Sequence, residues 1–320
     1  MIKIALDVMG GDNAPLSNLV GACDFLENQS NDVKIIFVGD ESIIKSYFKK
    51  RKNFTLKNFE IVNSTQILSS EDRPSRVHKD KPYSSMILSL NLLKDKKVDA
   101  VVSAGNTGHL LGSSFFILGT IESIKRPALI ALIPSINGNF LICDVGANTA
   151  AKPEHILQYG QMASVYLKHH TPSVEPKIAL LNIGQEHNKG NELTKSAYSL
   201  LKDNLDNFIG NIESRYLFNG KANIILTDGF TGNTVLKLIE GMTNYNLKLF
   251  KEKLDLNDSS KIKDIQRLYD YEEYGATPIL GINGLVLKSH GSSSGISIKN
   301  GLKNALKLHK NKTIQNLKKL

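Results

Sequence analysis

Eight short apolar runs, each separated from the next by a stretch of helical length, limit this chain to a narrow set of folds. The runs are residues 2–8, 34–38, 59–62, 98–104, 140–145, 177–183, 222–228 and 285–289. Helical periodicity falls near 16–28, 41–50, 83–96, 108–120, 153–169, 189–205, 232–252 and 297–318. Strands that alternate with helices in this way form a mostly parallel sheet covered on both faces, so the expected class is α/β, a three-layer α/β/α sandwich. At 320 residues the chain can form one large α/β unit or two lobes; no repeat and no linker rich in Pro, Gly or Ser marks a boundary, and a single unit over 1–320 is expected.

The ends of the strands carry the specific signal. Residues 2–8 run into "GGDNAP", 98–104 into "GNTG", 140–145 into "GANTAAKPEH", 177–183 into "GQEHNKGNE" and 222–228 into "GFTGN". Each turn combines Gly with Asn, Thr or Lys and then enters a helix. In a parallel sheet such turns gather at the carboxyl edge, where α/β proteins bind ligands. Helix starts there offer free N–H groups and a positive dipole end, and glycines let a ligand approach them. One Gly-Asn pair is ordinary turn chemistry; five on one edge point to an anion pocket. The candidate binding residues are Gly10, Gly11, Asp12, Asn13, Gly105, Asn106, Thr107, Asn148, Thr231 and Gly232. A further turn, "SHGSSSG", adds His290 and Ser292 as an anion loop.

Several function classes are disfavoured. Trp is absent and no RNP, helix-turn-helix or zinc-finger pattern occurs, so nucleic acid is not an expected partner. No apolar run reaches membrane-spanning length, and no signal peptide opens the chain. Cys23 and Cys143 make no disulfide framework, which fits a reducing cytoplasm. The histidines and cysteines lack metal-ligand spacing, and neither a metal nor a cofactor is expected. The net charge is +9, and no acid follows Glu273 while eight lysines do. That asymmetry fits either an acidic partner or a solvated helix face.

With no G-x-S-x-G elbow and Cys143 inside an apolar run, no protein nucleophile is evident. A pocket rich in anion-holding groups and poor in nucleophiles suits a reaction in which the anion itself attacks. Phosphate attacks thioesters, and a thiolate leaves readily. Two candidates follow. Lys189, at the expected helix start in "NKGNE", holds phosphate as a point charge. Asn233, in "FTGN", donates to the thioester oxygen as it becomes an oxyanion.

Together, "ALDVMGGDNAP", "VVSAGNTG", "KRPAL", "CDVGAN", "AKPEH", "LLNIG", "KGNELTK", "TDGFTGNTVLK" and "LKSHGSS" resemble the PlsX family, the acyl-carrier-protein:phosphate acyltransferases of bacterial phospholipid synthesis. The resemblance runs from Ile2 to about Ser293. It implies conversion of a long-chain acyl-carrier-protein thioester and inorganic phosphate into acyl phosphate, the first step toward phosphatidic acid. It also implies an isocitrate/isopropylmalate-dehydrogenase-like fold and a homodimer in the cytoplasm, loosely attached to the inner face of the plasma membrane. The product would pass to the membrane glycerol-3-phosphate acyltransferase. The lysine of "KGNE" and the asparagine of "GFTGN", here Lys189 and Asn233, are implicated in activity by the same resemblance.

Two departures stand out. "YGATPILG" carries Ala276 where the family has a second glycine, and "RVHKDKPYSSM" carries Pro82 and Tyr83 where small or polar residues are usual. Residues 240–272 read as a projecting helical hairpin. Leu254, Leu256 and Ile262 would form its apolar tip, flanked by Lys251, Lys253, Lys261 and Lys263, which suits either an anionic leaflet or dimer packing. Three alternative functions remain open at this level. They are a phosphotransacetylase acting on acyl-coenzyme A, a decarboxylating dehydrogenase on the same scaffold, and a non-catalytic anion-binding scaffold. The dehydrogenase would want clustered aspartates for a metal, and the sequence offers none.

Overall fold

Each of the eight apolar runs becomes a strand. In a computed structural model, residues 1–27, 32–51, 58–135, 138–171, 174–253 and 271–320 are described. The chain divides into two units: Met1–Ile121 with Tyr271–Gln315, and Glu122–Asp270 with Asn316–Leu320.

The first unit holds β1 (Ile2–Asp7), α1 (Leu16–Glu27), β2 (Val33–Gly39), α2 (Glu41–Lys50), β3 (Phe59–Asn63), α3 (Val77–Asp80), α4 (Ser85–Lys94), β4 (Ala100–Ser103) and α5 (Thr107–Leu118). The second holds β5 (Ile130–Ser135), β6 (Gly138–Cys143), α6 (Pro153–His170), β7 (Ile178–Leu181), α7 (Glu192–Asn204), β8 (Phe208–Ile212), a 3-10 turn at Ser214–Asn219, β9 (Ile224–Leu226) and α8 (Gly229–Lys253). The chain returns to the first unit with α9 (Tyr271–Tyr274), β10 (Ala276–Pro278), β11 (Val286–Ser289) and α10 (Gly295–Lys310), and α11 (Thr313–Leu317) follows.

The single sheet edge expected from the sequence is two edges, one in each unit. The first sheet has six strands in the order β10-β11-β4-β1-β2-β3, and the second five in the order β5-β6-β9-β7-β8. Strands β1, β2, β3, β4 and β11 run parallel, as do β6, β7, β8 and β9. Among the described strands, only β10 and β5 are antiparallel to their neighbours. Helices cover the first sheet in two groups, α1 packed on α10 and α4 on α5. The central strands are buried on both faces, as in β1, where Ile4, Ala5, Leu6 and Asp7 are all buried. Near-continuous apolar runs are what two covered faces require.

The three strands that periodicity does not reveal, β5, β8 and β10, all lie at sheet edges. Pro134 interrupts β5, Gly210 and Asn211 interrupt β8, and β10 is only "ATP". Edge strands pair on one side only, so they tolerate residues that a central strand excludes. The helix expected over 297–318 is broken after Lys310, where Lys312 takes a positive φ of 54°. The expected hairpin tip, with Leu254, Leu256 and Ile262, lies outside the described residues.

Ala276 fits its place. The left-handed residue in "YGAT" is Gly275, with φ of 68°, and a Cβ there would stand 2.2 Å from the Gly301 nitrogen. Ala276 is an ordinary strand residue whose methyl packs over the space left by Gly301. Gly275→Ala should therefore destabilise the protein by at least about 2 kcal/mol, through a backbone clash and a disfavoured φ. Ala276→Gly should cost no more than about 1 kcal/mol. Urea unfolding midpoints of the two variants check both values; equal effects would be the contrary result.

Candidate active site

In the first unit the turns after β1, β4 and β11 share one sheet edge, and a buried carboxylate joins them. Asp7 is the last residue of β1 and is 1% exposed. The Ser85 hydroxyl, at the start of α4, donates to its Oδ1 at 2.5 Å, and the Ser103 hydroxyl, at the end of β4, donates to Oδ2 at 2.6 Å. Ser103 Oγ in turn accepts the Gly105 N–H at 3.1 Å, which sets the path of the "GNTG" turn. Gly10 lies so close that a Cβ on it would stand 2.4 Å from Asp7 Oδ2 and 2.8 Å from the Gly105 nitrogen. Burial pushes the Asp7 carboxyl above the ordinary carboxylate range. The two serine hydroxyls, the Met9 backbone N–H and the charge of Lys288 pull the other way.

Other side chains shape the remaining turns. Asn18, buried on α1, donates to the carbonyls of Val8 and Gly10 at 2.8 and 2.9 Å and so fastens the backbone of the first turn. Asn13 donates to the carbonyls of Ser292 and Ser293, and the Asp12 N–H to that of Gly291. The "GGDN" and "HGSS" turns are thereby clasped together. Asn106 caps α5 by accepting the His109 N–H at 3.1 Å.

These turns enclose a cavity of about 400 Å³ walled by Asp7, Gly10, Gly11, Asn106, Thr107 and Lys288, with Asp12, Gly105 and His109 beside them. Six of the binding residues expected from the sequence, namely Gly10, Gly11, Asp12, Gly105, Asn106 and Thr107, thus meet at one cavity. Asn13 and Ser292 lie behind it in the clasp. His290 is exposed and shares a 2.8 Å hydrogen bond between its Nδ1 and Ser292 Oγ.

The second unit brings three expected turns to the edge of its own sheet, after the parallel neighbours β6, β9 and β7. Asp144, fully buried, accepts the N–H groups of Leu129, Ala147 and Asn148 and the Asn148 side-chain amide. Burial raises its carboxyl despite those donors. Asn148 also donates to the Pro127 carbonyl at 2.7 Å, so its amide is engaged in shaping the turn. At the start of α8, Asp228 accepts the Thr231 N–H and hydroxyl. Gly232 has no room for a Cβ, which would stand 1.9 Å from the Asp144 carbonyl oxygen. This close approach sets the first turn of α8 against the end of β6. Asn233 is exposed on that turn, and a Cβ on Gly146 would be 3.7 Å from it.

Lys189 does not begin α7, as its sequence context suggests. The helix starts at Glu192, and Asn191 caps it by accepting the Thr194 N–H. Lys189 sits in the preceding turn, exposed, with its carbonyl taken by the Asn182 amide. The glycine after it, not the lysine, makes the bend, since Gly190 has φ of 96°.

Sequence reasoning missed Asp7, Ser85, Ser103, His109 and Lys288 as cavity residues. An acid ending an apolar strand at Asp7 and a lysine inside "LVLKS" were the available signals. Both sit where a central strand otherwise excludes charge.

A family model described as "Fatty acid synthesis protein" matches residues 2–316. Phosphate acyltransferase from Clostridioides difficile (strain 630) is 40% identical over 99% of this chain and 95% of its own length. That from Alkaliphilus oremlandii (strain OhILAs) is 39% identical over 99% and 96%. The chain belongs to the PlsX family of phosphate acyltransferases. Its fold is shared more widely. A phosphotransacetylase from Streptococcus pyogenes aligns with TM-score 0.64 at 16% identity over 98% of this chain and 94% of that one. A 4-hydroxythreonine-4-phosphate dehydrogenase from Klebsiella pneumoniae aligns with TM-score 0.56 at 10% identity over 96% and 99%. The expected α/β class and dehydrogenase-like architecture are therefore present.

Because the folded-state carboxyl of Asp7 is raised, the native protein holds that proton more tightly than the unfolded chain. Its contribution to stability falls as pH rises from the ordinary carboxylate range through the raised value. Asp7→Asn removes that titration. Melting temperatures measured from pH 4 to 8 should fall less steeply with pH in the variant than in the parent, and parallel curves would contradict the assignment.

Proposed function

We propose that this protein makes acyl phosphate from a long-chain acyl-[acyl-carrier-protein] and inorganic phosphate, the opening step toward phosphatidic acid. The observation that carries the reading is full-length similarity to phosphate acyltransferases, at 40% identity over 99% of the chain. A phosphate oxygen attacks the thioester carbonyl carbon, a C–O bond forms, and the carbonyl oxygen takes the negative charge. The C–S bond then breaks, and the proton lost by phosphate ends on the departing thiol.

In this reading Lys189 holds phosphate and Asn233 donates to the developing oxyanion. Lys189 suits its role by exposure, and no carboxylate among the described residues forms an ion pair with it. Asn233 suits its role by position, on an exposed helix turn beside Gly146. The enzyme works as a homodimer. Leu238, Met242 and Tyr245 form an exposed stripe on α8, a helix whose only buried residues are Gly229 and Gly232. A stripe at this spacing is the pattern of a helix that packs on a partner. Contact of the expected hairpin, residues 240–272, with an anionic leaflet, and delivery of product to the membrane glycerol-3-phosphate acyltransferase, complete the proposal. No helix among the described residues is long and apolar enough to cross a membrane.

The direct test mixes purified protein with long-chain acyl-carrier protein and phosphate and follows free thiol. Release that depends on phosphate supports the reading, and release only from acyl-coenzyme A overturns it in favour of a phosphotransacetylase. Lys189→Ala should raise the phosphate requirement and slow turnover about a hundredfold. Unchanged phosphate dependence would remove Lys189 from the mechanism. Asn233→Asp should be slower than Asn233→Ala in the same assay, because a carboxylate repels both phosphate and the oxyanion. The reverse order would show that Asn233 is not the donor.

A further inference from the structure

The motifs "KRPAL" and "AKPEH" meet at the start of α6, and no residue of either has a task in the proposed reaction. Both belong to the second unit. The loop before β5 is fastened to α6 and to the turn after β6. Gln158 donates to the Ser123 carbonyl at 2.6 Å and accepts the Lys125 N–H at 2.9 Å. Asn148 donates to the Pro127 carbonyl, and the Leu129 N–H donates to Asp144. These bonds hold Lys125 and Arg126 beside the first turn of α6, where Lys152 is the N-cap residue. All three cations are exposed.

Two N–H donors open at the same helix start. The Lys152 N–H donates to His155 Nδ1 at 3.1 Å, so the imidazole carries its own hydrogen on Nε2. Burial holds that imidazole below the ordinary histidine range; Arg126, Lys152 and Lys125 push the same way, and Glu154 opposes them. His155 is 8% exposed, yet its Nε2 has no partner among the described residues and is not sealed from solvent. Pro153 has no N–H, and those of His155 and Ile156 donate to the Lys152 carbonyl at 2.9 and 3.2 Å. The Glu154 N–H is left without an acceptor among the described residues, at the positive end of an 18-residue helix.

Cations are disfavoured beside the positive end of a helix dipole. Here Lys125 and Lys152 stand at such an end, and neither forms an ion pair among the described residues. Arg126, which has further contacts of its own, adds to the positive field. A bound anion would relieve that repulsion and accept both open N–H groups. We propose that the start of α6 is an anion-binding site made by Lys125, Lys152, the His155 Nε2–H and the Glu154 N–H, and that its ligand is a phosphoryl group. The choice of ligand rests on the phosphate acyltransferase reading. That reaction brings two phosphoryl groups to the enzyme: the attacking phosphate, and the phosphodiester of the pantetheine arm that bears the acyl thioester. Both offer anionic oxygens to ammonium and N–H donors.

The test uses two variants of the full chain. Lys125→Met with Lys152→Met removes both charges from exposed positions and keeps the stems. His155→Asn keeps an acceptor for the Lys152 N–H and loses the outward donor. Calorimetry gives three dissociation constants: for inorganic phosphate, for the carrier protein with its phosphopantetheine arm, and for the carrier protein without it. The double lysine variant should weaken one phosphoryl interaction at least about tenfold, the cost of a hydrogen bond to a charged group, and the matching pair of Lys→Arg changes should recover most of it. His155→Asn should weaken the same interaction and no other. A raised phosphate Kd identifies free phosphate as the ligand. Weaker binding of the arm-bearing carrier alone identifies the phosphodiester. Equal weakening of both carrier forms, with phosphate unaffected, places the contact on the carrier's protein surface and overturns the proposal. Wild-type values for all three constants in the double lysine variant overturn it as well, as does a parent protein that binds neither phosphate nor the arm. If His155→Asn unfolds by circular dichroism, the lysine pair decides. Acyl phosphate formation is assayed apart from these constants, so a parent protein that makes none sinks the reaction while the phosphate Kd still decides the site.

Discussion

The first unit is organised around one buried carboxylate. Asp7 ends the central strand β1, takes hydroxyl hydrogen bonds from α4 and β4, and sits in contact distance of where any Gly10 side chain would lie. An isolated acid in such a place carries a large desolvation cost, so the protein surrounds it with donors and a nearby ammonium. The consequence reaches beyond electrostatics. Ser103 passes the constraint to the Gly105 N–H, and Asn18 adds a second constraint on the Val8 and Gly10 carbonyls. The cavity wall is thus set by polar groups that are themselves buried and fastened, which is how a site gains a defined shape before any ligand arrives.

The second unit repeats the device with different parts. Asp144 ends up at the carboxyl edge of β6 and collects four N–H donors from three residues. Gly232 lets the start of α8 approach the Asp144 carbonyl, and Asn233 follows it. Both units therefore place a buried aspartate behind a glycine turn at a strand end. In both, the acid shapes the turn, while the groups suited to meet a ligand are its neighbours. The arrangement explains why a site proposed to bind anions contains aspartates at all: their role is internal.

Much of this was legible in the linear sequence. Eight apolar runs became eight strands, because a central strand covered on both faces needs near-continuous apolar residues. The glycine turns after them marked the cavity wall through Gly10, Gly11, Gly105, Asn106 and Thr107. The family was legible for the same reason, since its motifs are those turns. What periodicity could not carry were the edge strands β5, β8 and β10, where one-sided pairing relaxes the pattern. It also misplaced the start of α7, because Lys189 and Gly190 belong to the turn that Asn191 closes.

The sequence by itself determined the local elements, the turn chemistry at the strand ends and the family. These depend on residues near one another in the chain and on a burial pattern that repeats every few positions. Only the tertiary structure decided that the turns divide between two sheets, that Asn13 clasps the distant Ser292 and Ser293, and that Lys288 stands in a row with Ser103 and Asp7. Strand order and register bring residues 7, 103 and 288 together, and no periodicity along the chain encodes a pairing between strands so far apart. The physical meaning of a charged residue in an apolar run therefore appeared only when its neighbours across the sheet were known.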